Sequence, residues 1–94
     1  MDKAEANRLL EQELKAYEEL SYLQLQERLD ELVAYEVKGP SGATYQVEIQ
    51  VLWDDLRKKA GILVMGSIDD GNLFSLTSYI PLTKSILILP SEEP

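Results

Sequence analysis

Residues 43–54, ATYQVEIQVLWD, alternate apolar and polar side chains almost without a break. Tyr45, Val47, Ile49, Val51 and Trp53 fall on one side of an extended chain, and Thr44, Gln46, Glu48 and Gln50 on the other. A period of two in β-branched and aromatic residues specifies a strand with one buried and one wet face. Such a strand is the spine of a one-sided antiparallel sheet. Its apolar side needs a helix or a partner chain to cover it.

The chain before the spine supplies that cover. Residues 3–33 read as helix, but not as one straight rod. Ala6, Leu9, Leu10, Leu14, Tyr17 and Leu20 share one face at helical spacing. From Tyr22 onward the apolar set is Tyr22, Leu25, Leu29, Leu32 and Val33, centred roughly 140° away on the same wheel. One helix cannot bury both faces against one sheet. Ser21 stands where the face changes, with Gln24 at capping-box spacing. The expectation is a break at Leu20–Ser21 and helices near 3–19 and 22–33. The alternative is a continuous helix whose second face another subunit covers.

After the spine the signals are shorter. Residues 35–38 form a brief strand running into the turn composition Gly39-Pro40-Ser41-Gly42. Residues 62–68 are strand-like, with Gly66 marking a bulge or a close approach. Asp69-Asp70-Gly71-Asn72 is a hairpin signal, residues 73–80 alternate, and the apolar run SILIL (85–89) is closed by Pro90. The predicted fold class is α+β, with two N-terminal helices (or one broken helix) on one face of a four-stranded antiparallel meander. A fifth short strand is an option. One domain spans 1–94, with a helical part at 3–33, a sheet part at 35–89 and a loose tail at 90–94.

Composition narrows the chemistry. The 94 residues contain no Cys and no His, so disulfides, thiolate nucleophiles, Cys/His zinc sites and Ser-His-Asp catalysis are all excluded. No side chain has an ordinary pKa between about 5 and 8. The net charge of −8 repels phosphate backbones and anionic lipid surfaces, so neither nucleic acid nor membrane is an expected partner. No leader-like or membrane-length apolar segment occurs, and a cytoplasmic location is expected. No cofactor is implied.

YQVEIQVLWDD, GSIDDG and PLTKSILILP together resemble a pattern in a group of small uncharacterised bacterial proteins. That group carries a Tyr-Gln-Val-Glu strand ending in Trp-Asp-Asp, a Ser-Ile-Asp-Asp-Gly turn, and Pro-Leu-Thr before an apolar strand. The similarity spans residues 21–90, including Leu20-Ser21-Tyr22 at the helix start. It departs between Gly71 and Pro81, where the group has a second Gly and a shorter aromatic and Arg-containing stretch. The resemblance implies a bacterial origin and a shared fold, and no activity.

Two acid pairs, Asp54/Asp55 and Asp69/Asp70, are the candidates for carboxylate or divalent-cation chemistry. In a meander they lie about seven residues apart along a strand, some 23 Å, which excludes a joint dyad. Asp69-Asp70-Gly71 is itself a turn sequence. Arg57, Lys58 and Lys59 follow Asp54/Asp55 as a solvated, locally neutralised loop.

Three functional readings follow. The first is a non-enzymatic module that pairs with itself as a dimer or with another protein. Its candidate interface residues are Leu52, Leu63 and Met65 on the outer sheet face, with Ile86 and Ile88 of the terminal apolar run. The second is a small-molecule cup, or a hydrolase-like enzyme using carboxylates, lined by Tyr45, Trp53 and Phe74; it needs an inward carboxylate, and Glu48 is out of phase for that role. The third is a cation site at Asp69/Asp70.

Overall fold

The computed structural model describes residues 1–71 and 81–90. The chain runs as α1 (Lys3–Glu18), α2 (Tyr22–Gln26), β1 (Leu32–Lys38), β2 (Thr44–Trp53), β3 (Ile62–Asp69) and β4 (Leu82–Ile88). The strands form one antiparallel sheet in the order β1-β2-β3-β4, with the helices over one face. The α+β meander with an N-terminal helical layer is therefore the observed architecture.

β2 behaves as its alternation requires. Tyr45, Val47, Ile49 and Val51 are buried, and Trp53 packs against the core from its margin. Cross-strand neighbours share a face, so register passes this orientation along the sheet. Ile62, Val64, Gly66 and Ile68 of β3 stand opposite Trp53, Val51, Ile49 and Val47. On β1, Val33, Tyr35 and Val37 stand opposite Ile49, Val47 and Tyr45.

α1 begins at Asp2, whose carboxylate accepts the Glu5 N–H at 3.0 Å. Its buried face holds Ala6, Leu9, Leu10 and Leu14, the apolar set of the sequence, together with one acid, Glu5. The chain breaks where the apolar face rotates. Ser21 caps α2 by accepting the Gln24 N–H at 3.1 Å, and the Gln24 side chain accepts the Ser21 N–H at 2.9 Å. Leu25 then enters the core completely.

The second helix is five residues long, not the twelve expected for 22–33. After Gln26 the backbone passes through tight turns and reaches Asp30 at φ +67°, a left-handed conformation that ends a helix. The Asp30 N–H then donates to the Val51 carbonyl at 2.7 Å, and β1 starts at Leu32. Leu29, Leu32 and Val33 fit a helical stripe, yet Val33, Tyr35 and Val37 also fit a strand. Pairing with β2 decides for the strand, and it turns Leu32 outward opposite Gln50.

Gly66 is a close approach and not a bulge, because it stays in register between Ile49 and Lys84. A Cβ there would lie 2.9 Å from Leu10 Cδ1 and 3.0 Å from Leu14 Cδ2. The missing side chain lets α1 settle onto β3.

The last strand also corrects the sequence reading. Residues 85–88 of the apolar run belong to β4, which starts at Leu82 and takes the free edge of β3. β3 has β2 along its other edge. The strand expected over 73–80 lies outside the described residues, as does Phe74.

Candidate functional site

The one buried ionisable group in the helical layer is Glu5, only 4% exposed. It sits four residues before Leu9, on the apolar stripe of α1. Its Oε1 accepts the Tyr45 hydroxyl at 2.7 Å and the Ser41 hydroxyl at 2.7 Å, and its Oε2 accepts the Ser41 N–H at 2.9 Å. The β1–β2 turn is folded tightly around this carboxylate, with Gly39 N–H donating to Ala43 O and Gly42 at φ +92°. Three donors satisfy a charge that would otherwise be costly to bury. Hydrogen bonds from Ser41, then from Tyr45, hold the Glu5 carboxyl below the usual range. The reciprocal effect pushes the Tyr45 phenol up to about 12, through the bond to Glu5 and burial.

Chemically this cluster is a clamp. A carboxylate stabilised in its charged form is a poor base, and a phenol driven upward is hard to ionise. Neither activates the Ser41 hydroxyl. What the cluster does is fasten α1 to a turn 36 residues away.

Its signature is a two-sided pH profile. The lowered Glu5 pKa contributes stability that is present above the unfolded value of 4.5 and is lost as pH falls through the folded value. The raised Tyr45 pKa contributes stability that is present below 10 and is lost as pH rises toward about 12. Tyr35, whose hydroxyl donates to Glu13 Oε1 at 2.7 Å, is raised as well, mainly by burial and by that bond. Urea denaturation across pH is therefore expected to show Tyr45→Phe reducing the alkaline fall without abolishing it. An unchanged alkaline limb would contradict the bond to Glu5.

The remaining sequence candidates fall in separate places. Tyr45 is buried to 1% exposure with its hydroxyl on Glu5, so it offers no surface to a ligand. Trp53 is a partly buried core residue at the far end of the same strand. Asp69 Oδ1 accepts the Gly71 N–H at 2.7 Å, closing a turn, and Asp70 Oδ2 lies 3.4 Å from the Met1 ammonium. No cluster of three or more metal-ligating side chains occurs among the described residues. Asp54/Asp55 and Asp69/Asp70 stand at opposite ends of the β2–β3 ladder, since Trp53 faces Ile62 and Gln46 faces Asp69. Asp55 Oδ1 accepts the Arg57 N–H at 2.8 Å and shapes the basic loop locally.

The outer sheet face carries an apolar row at one end. Leu52 faces Leu63, and Leu63 faces Leu87. Met65 lies in the next row, and Leu32 stands beyond Gln50 in that same row. Leu89 closes on Leu87, since a Cβ at Gly61 would meet both at 3.1–3.2 Å. Ile86 and Ile88 are not part of this surface. They face Val64 and Ile62 and pack against the core. The outward residue between them is Leu87, a phase that an unbroken apolar run does not declare.

A groove of roughly 720 Å³ lies between α1 and the β1–β2 turn, lined by residues that include Arg8, Leu9, Lys15, Lys38 and Pro40. Comparison with family models, curated proteins and solved structures finds no match. No helix among the described residues is long and apolar enough to cross a membrane.

Proposed function

We propose that this chain is a non-enzymatic cytoplasmic interaction module, of bacterial origin, that pairs with a second copy of itself through the outer sheet face. The observation behind this reading is the row Leu52–Leu63–Leu87 with Met65, Leu32 and Leu89 around it. Four of these side chains, Leu32, Met65, Leu87 and Leu89, are 39–58% exposed. Apolar surface gathered on one face of a small domain marks a place where another surface docks. A twofold pairing sets the row against itself, as an isologous contact requires. The carboxylates Glu36, Glu48 and Asp69 of the same face lie toward the other end of the sheet.

Two copies each carrying −8 repel one another, so added salt strengthens the pairing by screening. Light scattering after size exclusion is expected to give about twice the 10.6 kDa chain mass at tens of micromolar and 0.5 M salt. Leu63→Glu, which adds a charge at the centre of the row, is expected to return the protein to one chain mass with an unchanged circular dichroism spectrum. A wild-type monomer both at 0.5 M salt and without added salt would remove the proposal.

A further inference from the structure

Beyond self-association, the geometry points to the groove between α1 and the β1–β2 turn as a binding site for a small amphiphilic anion, a carboxylate or phosphate head on an apolar body. The argument begins with charge. The chain as a whole is strongly acidic, yet this groove is lined by three cations, Arg8, Lys15 and Lys38, against two acids, Glu5 and Glu11. Glu11 Oε1 is paired with Lys84 at 2.8 Å from outside the groove, which leaves Glu5, held by the neutral donors Ser41 and Tyr45, as the one lining acid whose charge no ion pair offsets. Arg8, Lys15 and Lys38 have no ion-pair partner within 4.0 Å among the described residues.

A cleft with one dominant sign concentrates the opposite ion, and Arg adds a planar fork suited to carboxylate and phosphate oxygens. The groove is also apolar in its floor. Leu9 and Pro40 lie along it. Its volume of roughly 720 Å³ lies within the range of small-molecule sites, about 300–1,000 Å³. Arg8 and Lys15 come from one helix, seven residues apart and so on the same face, while Lys38 comes from the end of β1. The clamp at Glu5 fixes the distance between these two walls, so the backbone that carries the cations is set before any ligand arrives, while the side chains themselves are exposed.

The test is an amide-shift titration of the ¹⁵N-labelled chain with sodium octanoate, octyl phosphate and, as a neutral control, 1-octanol, all below micellar concentration. Both anions are expected to give saturable shifts at Arg8, Leu9, Lys38 and Gly39, and octanol is not. Arg8→Glu/Lys38→Glu is expected to weaken both anions at least tenfold. The neutral pair Arg8→Gln/Lys38→Gln gives a smaller loss in the same order, and serves if the acidic pair fails to fold. Lys58→Glu/Lys59→Glu, in the other basic segment, is expected to stay within twofold of wild type. Tighter binding of octanoate or of octyl phosphate assigns the head group. Equal shifts with octanol, shifts spread over the whole surface, or a groove variant that binds as wild type would each overturn the site.

Discussion

Leu10→Ala is expected to lower the unfolding free energy by about 2–5 kcal/mol, the range for emptying a fully buried leucine. Leu10 is 0% exposed and lies against Gly66 at the centre of the α1–β3 contact. A domain of this size has about 5–14 kcal/mol in total, so the loss is a large fraction of its stability. The thermal midpoint should fall by roughly 10–25 °C. A second substitution tests the geometry itself. Gly66→Ala places a methyl 2.9 Å from Leu10 Cδ1 and 3.0 Å from Leu14 Cδ2, and overpacking of this kind costs about 1–3 kcal/mol. In the Leu10→Ala background that methyl enters vacated space. Denaturant titrations of the four proteins in the cycle should show Gly66→Ala costing at least about 0.5 kcal/mol less there than in wild type. Strict additivity would mean that α1 does not rest on β3 through this pair.

Gly39→Ala is the second large effect. A Cβ at Gly39 would fall 2.6 Å from Glu5 Cδ and 2.8–2.9 Å from both carboxylate oxygens. The end of a glutamate is ordinarily free to swing aside. Here it is held by Ser41 and Tyr45, and moving it leaves the buried Tyr45 hydroxyl without an acceptor. The expected cost is about 1–3 kcal/mol by denaturant titration. The same variant should reduce the acid-side fall in stability without abolishing it, because Glu5 no longer keeps its low folded pKa while Glu11, held low by Lys84, still does. Loss of stability with the acid limb intact would mean that the turn backbone, and not the clamp, was disturbed.

The parts that were legible in the sequence are those whose physical cause is local. Strict alternation placed Tyr45 through Trp53, and a rotation of the apolar face with capping-box spacing placed the break at Ser21. The errors arose where two periods fit the same residues. Leu29, Leu32 and Val33 satisfy a helical stripe, while Val33, Tyr35 and Val37 satisfy a strand; only pairing with β2, a non-local event, separates them. In SILIL every position but the serine is apolar, so its phase comes from register with β3, and Leu87 rather than its neighbours faces outward. The role of Glu5 is not legible in the sequence, because an acid in a first helical turn is ordinarily solvated. Its position four residues before Leu9 was the available signal. The groove joins residues 8, 15 and 38, which nothing in linear spacing connects.

The connectivity of the sheet has one more consequence. Among the described residues each strand pairs with the next, so the ladders close successive, comparatively short loops. The contacts of α1 join distant parts instead: Glu5 to Ser41 across 36 residues, Glu11 to Lys84 across 73. Closing long loops is the slower entropic step, so the ribbon of strands is expected to assemble early and the first helix to dock upon it late. Damage confined to that helix then shortens the lifetime of the finished molecule more than it delays its formation.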